Sequence, residues 1–206
     1  MNVIAFLSQK GGSGKTTLSV HAAVAAEAAG ERVCVIDADP QESATAWAST
    51  RKLATPIVAT AQAVDLESAL RAAKNEGMSL VIVDSPPHAA PAAGQIAKLA
   101  ELVLIPVRPA AFDLAAVPAV VKIIKAAKVQ GAFILSACPF RAPEIGETRA
   151  ELESHGLPVF PGEITDRRAF ARAVTTGSAV TEFEADGKAA EEIRALWAWI
   201  KAMLKR

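Results

Sequence analysis

The chain has 206 residues, 51% of them apolar, and its 22 basic residues are balanced by 22 acidic ones. This length and apolar content are enough to bury one α/β core, so we expect a single domain over 1–206. The zero net charge gives no global electrostatic case for nucleic acid or an acidic substrate, so any basic binding surface has to be local. No apolar run reaches the length of a membrane span and no signal peptide precedes the first strand, which predicts a soluble cytoplasmic protein.

Short runs rich in Val, Ile and Leu alternate with longer helical patterns along the chain. The runs predict strands at 3–7, 33–36, 57–59, 80–83, 102–107 and 133–137. The helical patterns cover 15–30, 42–52, 66–77, 89–99, 114–128, 146–155, 167–175 and 188–205. Gly30 and Gly77 are expected to end helices, and Asp65 and Asp113 to cap helix starts. The alternation predicts a three-layer α/β/α fold with a mostly parallel twisted sheet, whose ligands bind beyond the carboxyl ends of the strands.

A glycine-rich segment follows the first predicted strand. Residues 8–17 read Ser-Gln-Lys-Gly-Gly-Ser-Gly-Lys-Thr-Thr and lead into a helical stretch, which predicts a phosphate-binding loop. Glycine permits positive φ, expected here at Gly11, Gly12 and Gly14, and lets successive N–H groups point at phosphate oxygens. The start of the helix adds further unpaired N–H groups. The residues expected to contact the nucleotide are Lys10, Gly11, Gly12, Ser13, Gly14, Lys15, Thr16 and Thr17.

Two side chains of this loop have specific expected roles. Lys15 is expected at the β- and γ-phosphates, and the Thr16 hydroxyl is expected to complete a Mg²⁺ shell. A glycine-rich turn with two solvated lysines is the alternative, but the strand before it and the helix after it favour the phosphate site.

The loop departs from the general P-loop pattern at one position and carries an additional lysine. Gln9 stands where that pattern has glycine, and a second lysine, Lys10, precedes the glycine pair. Lys-Gly-Gly-x-Gly-Lys-Thr-Thr is the deviant Walker A signature, and with it the chain resembles the ParA/MinD family of ATPases. The resemblance implies a P-loop NTPase fold, ATP and Mg²⁺ as cofactors, and an ATP-dependent homodimer. In that dimer Lys10 of one subunit reaches the phosphates held by the other.

Aspartates end two of the predicted strands. The second strand leads into Asp37-Ala-Asp39-Pro-Gln, and the resemblance implies that Asp39 orients the attacking water while Asp37 supports the loop or the Mg²⁺ shell. An acidic N-cap for the following helix is the alternative. The fourth strand ends at Asp84, and an apolar run followed by aspartate is typical of a Walker B strand. Its carboxylate is a hard oxygen ligand suited to Mg²⁺.

Later loops supply weaker signals. The proline-bearing loop 106–113 either lies near the base and the dimer interface, as the resemblance implies, or forms a rigid turn. After the sixth strand, the resemblance places the adenine pocket at Pro139 and Phe140, with backbone from 163–164. His88, behind the fourth strand, is expected to be an exposed loop residue because the family mechanism needs no histidine.

Three arginines cluster at the predicted helix 167–175. Arg168 and Arg172 are four residues apart and share a face, with Arg167 beside it. The resemblance implies nonspecific DNA binding by the ATP-loaded dimer through such late basic residues, by phosphate contacts without base reading. A solvated helix face balanced by neighbouring acidic residues is the alternative.

The final helix, 188–205, is amphipathic. Residues 193, 196, 197, 200, 203 and 204 form one apolar stripe, which suits either docking on the sheet or membrane association like that of MinD-type relatives. Glu191 and Glu192 make the polar face partly acidic, which suits an anionic bilayer poorly, and we therefore expect core packing.

Together these patterns predict a Mg²⁺-dependent ATPase of the short ParA type for plasmid or chromosome segregation. It is expected to associate with the nucleoid and to be stimulated by a centromere-binding, ParB-like partner. A MinD-like membrane-cycling regulator, or an ATPase that positions a cargo other than DNA, remains the alternative. A metabolic synthetase is disfavoured by Lys10. Iron–sulfur relatives are disfavoured because Cys34 and Cys138 lie in or beside strand-like runs, where small buried residues are expected.

Overall fold

A computed structural model describes residues 1–87 and 90–205; His88 lies outside the described residues. The strands are β1 Asn2–Phe6, β2 Val33–Asp37, β3 Ile57–Thr60, β4 Leu80–Asp84, β5 Leu102–Val107 and β6 Gln130–Leu135. They form one sheet in the order β3-β2-β4-β1-β5-β6, and every neighbouring pair is parallel. The predicted parallel sheet is therefore confirmed.

Helices cover both faces of the sheet. They are α1 Lys15–Ala28, α2 Ser43–Thr50, α3 Leu66–Asn75, α4 Ala90–Leu99, α5 Ala111–Leu114, α6 Val117–Ala127, α7 Glu144–Ser154, α8 Arg168–Thr175, α9 Val180–Phe183 and α10 Lys188–Leu204. The predicted helices are all present with small shifts at their ends. The short helices α5 and α9 were not predicted, because four residues are too few to show a helical period.

The core consists of two apolar layers, one on each face of the sheet. Successive strand residues point to opposite faces, so Ile4 and Phe6 pack with α1 and α10, whereas Ala5 and Leu7 pack with α3, α4 and α6. Two helices end as expected, since Gly30 (φ 91°) and Gly77 (φ 73°) occupy the left-handed region just past α1 and α3.

The final helix packs on the core. Its buried residues include Ile193, Leu196, Trp197, Ile200 and Met203, which belong to the predicted apolar stripe. This confirms core packing of the stripe. In the part of the chain that the structure describes, no helix combines the length and apolarity needed to cross a bilayer.

Candidate functional site

The glycine-rich loop lies between β1 and α1 and has the geometry of an anion site. Gly12 (φ 73°) and Gly14 (φ 97°) are in the left-handed region, where a side chain would be strained. Gly11 has no positive φ and open space around it, so the expectation of positive φ was wrong there. The Ser13 hydroxyl is buried and has no hydrogen-bond partner among the described residues. The loop thus places two left-handed glycines and a hydroxyl without a partner directly before the start of α1, where an anion would be stabilised.

Lys15, the first residue of α1, is the buried cation of this site. Its side chain is 6% exposed, and the ammonium donates to the Lys10 carbonyl at 3.4 Å. Burial lowers the Lys15 pKa, and the charges of Asp84 and Asp39 oppose that shift. A desolvated ammonium next to an anion-binding loop interacts more strongly with a phosphate than a solvated one does.

Asp37 and Asp84 lie side by side at the carboxyl ends of β2 and β4, where they are paired in register. Burial raises the pKa of Asp84 to about 7, opposed by the Thr16 hydroxyl and Lys15. Ser19 donates to Asp84 Oδ1 at 3.4 Å, but Asp84 Oδ2 is buried without a hydrogen-bond partner among the described residues. A buried carboxylate oxygen without a partner, close to a threonine hydroxyl, fits a Mg²⁺ shell that phosphate oxygens and water complete.

The two aspartates of the β2–α2 loop have different surroundings. Asp37 is buried and accepts hydrogen bonds from the backbone N–H groups of Asp39 (3.3 Å) and Thr45 (2.9 Å) and from the Thr45 hydroxyl (3.0 Å). Asp39 is half-buried, and its Oδ1 accepts from the Gln41 N–H at 3.0 Å. Asp37 therefore anchors the loop and the start of α2, and its assignment to the metal shell stays a prediction. Asp39 keeps an oxygen available for a water molecule.

Helix α2 is attached at its other end to a late segment of the chain. The Trp47 indole N–H donates to the Ser178 carbonyl at 3.1 Å. Arg51, just after the helix, forms a bidentate pair with Glu182 at 2.8 and 2.6 Å, and its side chain is 4% exposed. Gly177 (φ 67°) approaches so closely that a Cβ there would lie 2.4 Å from the Arg51 backbone nitrogen. The segment from 177 to 182 and the end of α2 are thus packed as one unit.

A cavity of about 280 Å³ lies next to the phosphate loop. It is bordered by the loop and α1 on one side and by a late segment on the other; its lining includes Gly12, Gly14, Thr17, Ser136, Ala137, Ile164, Asp166, Arg167 and Phe170. Mixed apolar and backbone-polar walls beside a phosphate site suit a nucleobase. Sequence reasoning anticipated Ile164 here, but it missed Ser136, Ala137 and Phe170.

Pro139 and Phe140 do not line this cavity. Backbone hydrogen bonds from Cys138 to Ile164 and from Asp166 to Cys138 pair the two segments, so that 164–167 faces the cavity. Ala137 (φ 47°) turns the chain before that pairing, and Phe140 is 68% exposed with the Arg141 guanidinium stacked on its ring. The geometry therefore favours Ile164 and Phe170 over Pro139 and Phe140 as base contacts.

The three arginines in and just before α8 differ in ion pairing and solvent exposure. Arg167 is bound to the Glu192 carboxylate through Nε (3.0 Å) and Nη2 (2.8 Å). Arg168 and Arg172 are exposed on α8, and the Arg172 guanidinium lies 5.2 Å from the centre of the Phe183 ring. Arg168 and Arg172 are thus open to solvent, whereas Arg167 is held by an acidic partner.

Lys10 lies at the outer side of the loop. It is half-buried, and its ammonium lies 5.5 Å from the centre of the Phe112 ring, which is itself 78% exposed. A cation–π contact at an exposed site contributes only about 0.5–1 kcal/mol, so the contact does not prevent Lys10 from moving elsewhere.

A glycine-rich loop between a strand and a helix, with a buried lysine and carboxylates at adjacent strand ends, defines a P-loop nucleoside triphosphatase. Residues 4–180 match the model of the CobQ/CobB/MinD/ParA nucleotide-binding domain. The chain belongs to the ParA/MinD family of ATPases, which confirms the predicted class of enzyme and ATP as its nucleotide.

Individual relatives give a finer comparison. "Maintenance of carboxysome distribution protein A" of Gloeobacter kilaueensis is 34% identical over 198 residues, which are 94% of this chain and 89% of the relative. "Chromosome-partitioning ATPase Soj" of Thermus thermophilus is 32% identical over 134 residues, which are 51% of this chain and 54% of the relative. The structure of septum site-determining protein MinD with Mg-ADP from Pyrococcus horikoshii has a TM-score of 0.81 at 15% identity, covering 98% of this chain and 96% of that one. The last likeness shows the fold.

Proposed function

We propose that this protein is an ATP-dependent positioning ATPase. Its ATP-bound homodimer binds nonspecific DNA of the nucleoid, and hydrolysis, stimulated by a partner on the cargo, releases it. The observation that carries this proposal is the arrangement at the loop. The charges of Asp39 and Asp84 act on Lys15 at the start of α1, while the Lys10 ammonium lies on the exposed Phe112 ring.

Each residue of the site has a role in this proposal. The loop N–H groups, Ser13 and Lys15 bind the phosphates, and Thr16 and Asp84 hold Mg²⁺, whose charge offsets that of the phosphates. Asp39 orients the water that attacks the γ-phosphate in line. The partner subunit's Lys10 adds a cation that stabilises the transition-state charge once the dimer forms.

Helix α8 supplies the DNA contacts in this proposal. Arg168 and Arg172 are exposed on one helix face, and a twofold axis would double the number of guanidinium groups. Contacts to phosphates without base reading give weak binding that depends strongly on salt. This local surface is compatible with the zero net charge of the whole chain.

The cargo in our proposal is a protein assembly rather than a plasmid or chromosome. The relatives named for carboxysome distribution align over 89% and 92% of their own lengths, whereas Soj and a protein named ParA align over 54% and 51%. DNA segregation with a ParB-like partner is the second candidate, because those segregation proteins are 32–33% identical over the shared part.

Retention on immobilised nonspecific DNA tests the switch. We expect the parent to be retained with ATP but not with ADP or without nucleotide, and we expect Lys10→Ala to lose retention in every state. Lys74→Ala, which changes an exposed lysine of α3, is the matched control and should behave like the parent. Equal retention in all nucleotide states, or full retention of Lys10→Ala, would contradict the proposal.

Deletion of the gene in the source cells separates the two cargoes. Clustered protein assemblies with normal inheritance of DNA would support positioning of an assembly. Loss of a plasmid or of chromosomes, with evenly spaced assemblies, would instead support segregation.

A further inference from the structure

The turn between β5 and α6 touches the phosphate loop at two points. At one point the Phe112 ring lies under the Lys10 ammonium at 5.5 Å. At the other, the Arg108 guanidinium packs against Gly12, where a Cβ on the glycine would lie 3.6 Å from Arg108 Nη1. The proposed roles above use Lys10 but leave Arg108 without one.

The Arg108 guanidinium is held in a fixed orientation by Asp113. Arg108 Nε donates to Asp113 Oδ1 at 2.9 Å, and Nη2 donates to Oδ2 at 3.0 Å. The Asp113 side chain is 4% exposed, so the acceptor is buried, whereas the Arg108 side chain is 37% exposed at the surface of the turn. Asp113 was expected to cap the start of a helix, and that prediction was wrong because the carboxylate binds Arg108 within α5 instead.

The pairing with Asp113 uses only two of the three guanidinium nitrogens. Nη1 is the nitrogen outside the bidentate pair, and within the described ranges it has no acceptor. It is also the nitrogen that faces Gly12. Arginine has a rigid planar fork of donors that matches phosphate oxygens, and orienting that fork in advance reduces the entropy lost on binding.

We propose that Arg108, oriented by Asp113, is a further binding residue for the phosphate chain of the nucleotide. Arg108 is the contact residue and Asp113 is a positioning residue. The inference rests on the proposed role of the loop as the nucleotide site, but it is independent of DNA binding and of the cargo.

Calorimetric titration of ADP in excess Mg²⁺, at low and high salt, tests this inference. We expect Arg108→Gln to bind ADP about tenfold more weakly than the parent at low salt, since a hydrogen bond to a charged group is lost. The difference should shrink as salt screens the charge. Arg108→Lys keeps a charge but loses the planar fork, so it should bind more weakly than the parent and more tightly than Arg108→Gln. Asp113→Asn should also lose less than Arg108→Gln. Arg71→Gln changes an exposed arginine of α3 that pairs with Glu67, and it should bind like the parent.

Three results would overturn the inference. One is parental ADP affinity in Arg108→Gln. Another is a ratio of parental to Arg108→Gln affinity for ADP that stays the same at every salt concentration, since that would indicate a displaced turn rather than a lost charge. The third is a loss in Arg108→Lys as large as in Arg108→Gln. If Arg108→Gln does not fold, Arg108→Lys and Asp113→Asn decide the question by the same salt series. A parent that binds no ADP would instead defeat the proposed nucleotide site.

Discussion

Acid should destabilise this protein through one buried imidazole, that of His21 on α1. Its ring is fully buried and lies 5.1 Å from the ring of Phe170, and its Nδ1 accepts the backbone N–H of Val180 at 3.3 Å. Nε2 has no partner among the described residues. Burial lowers the His21 pKa from 6.5 to about 3, although the charge of Glu182 opposes the shift. The folded protein therefore holds a neutral histidine well below the pH at which an exposed one is protonated.

The size of the effect follows from proton linkage. Because the unfolded chain takes up the His21 proton near pH 6.5 and the folded chain only near pH 3, stability falls as the pH falls below 6.5. A pH of 5 lies about 1.5 units below the pKa of the histidine in the unfolded chain. At about 1.4 kcal/mol per unit, the free energy of unfolding falls by about 2 kcal/mol. That loss is a large share of the stability of an ordinary protein.

Urea unfolding at pH 7 and pH 5 measures this loss in the parent and in His21→Gln. Glutamine does not titrate, and its side-chain oxygen can accept the Val180 N–H. Every other titrating group is common to both proteins, so their contributions cancel in the comparison. We expect the parent to lose about 2 kcal/mol more than the variant between the two pH values. Equal losses in the two proteins would refute the reasoning.

Three further predictions test other parts of the structure. Asp39→Ala should keep ATP-dependent DNA retention but stop phosphate release, and turnover at the parental rate would remove Asp39 from its proposed role. Gly177→Ala should destabilise the protein by at least about 2 kcal/mol in urea unfolding, since the φ of Gly177 is 67° and a Cβ there would meet the Arg51 backbone. The control Gly146→Ala lies in open space within α7 and should be neutral or stabilise by up to about 1 kcal/mol. A Gly146→Ala protein less stable than Gly177→Ala would contradict both expectations. Arg172→Gln removes two guanidinium groups per dimer, so the fall of log affinity for DNA with log salt should become shallower by about 2 units of slope. An unchanged slope would exclude Arg172 from the DNA contact.

The sequence carried enough information to predict the phosphate side of the site. Short Val- and Ile-rich runs indicated buried parallel strands, and polar residues at their ends had to meet at one edge of the sheet. Asp37 and Asp84 do lie in register there, and the charge of Asp84 acts on Lys15. This part is predictable because each residue is placed by its own strand end and by a loop with glycine at the positions that need it.

The cavity beside the phosphate loop could not be predicted in the same way. Its shape depends on positive φ at Ala137, an alanine whose identity gives no signal of a turn, and on pairing between residues more than 25 apart in the chain. Likewise, Asp113 was predicted to cap a helix because the sequence spacing gave no sign that it pairs with Arg108. Arg167 was predicted as a DNA contact, and its pairing with Glu192 gave no signal because Glu192 lies 25 positions away in α10.

Helix α2 joins the loop that holds Asp37 and Asp39 to the segment that follows α8. Eight helical residues span about 12 Å and form a short, stiff rod from the Asp37 end to the Arg51 end. There the rod is clamped to the segment that follows α8. In the proposed ATPase cycle, a movement of the loop that holds Asp39 would therefore reach the segment after α8 through this helix rather than through the sheet.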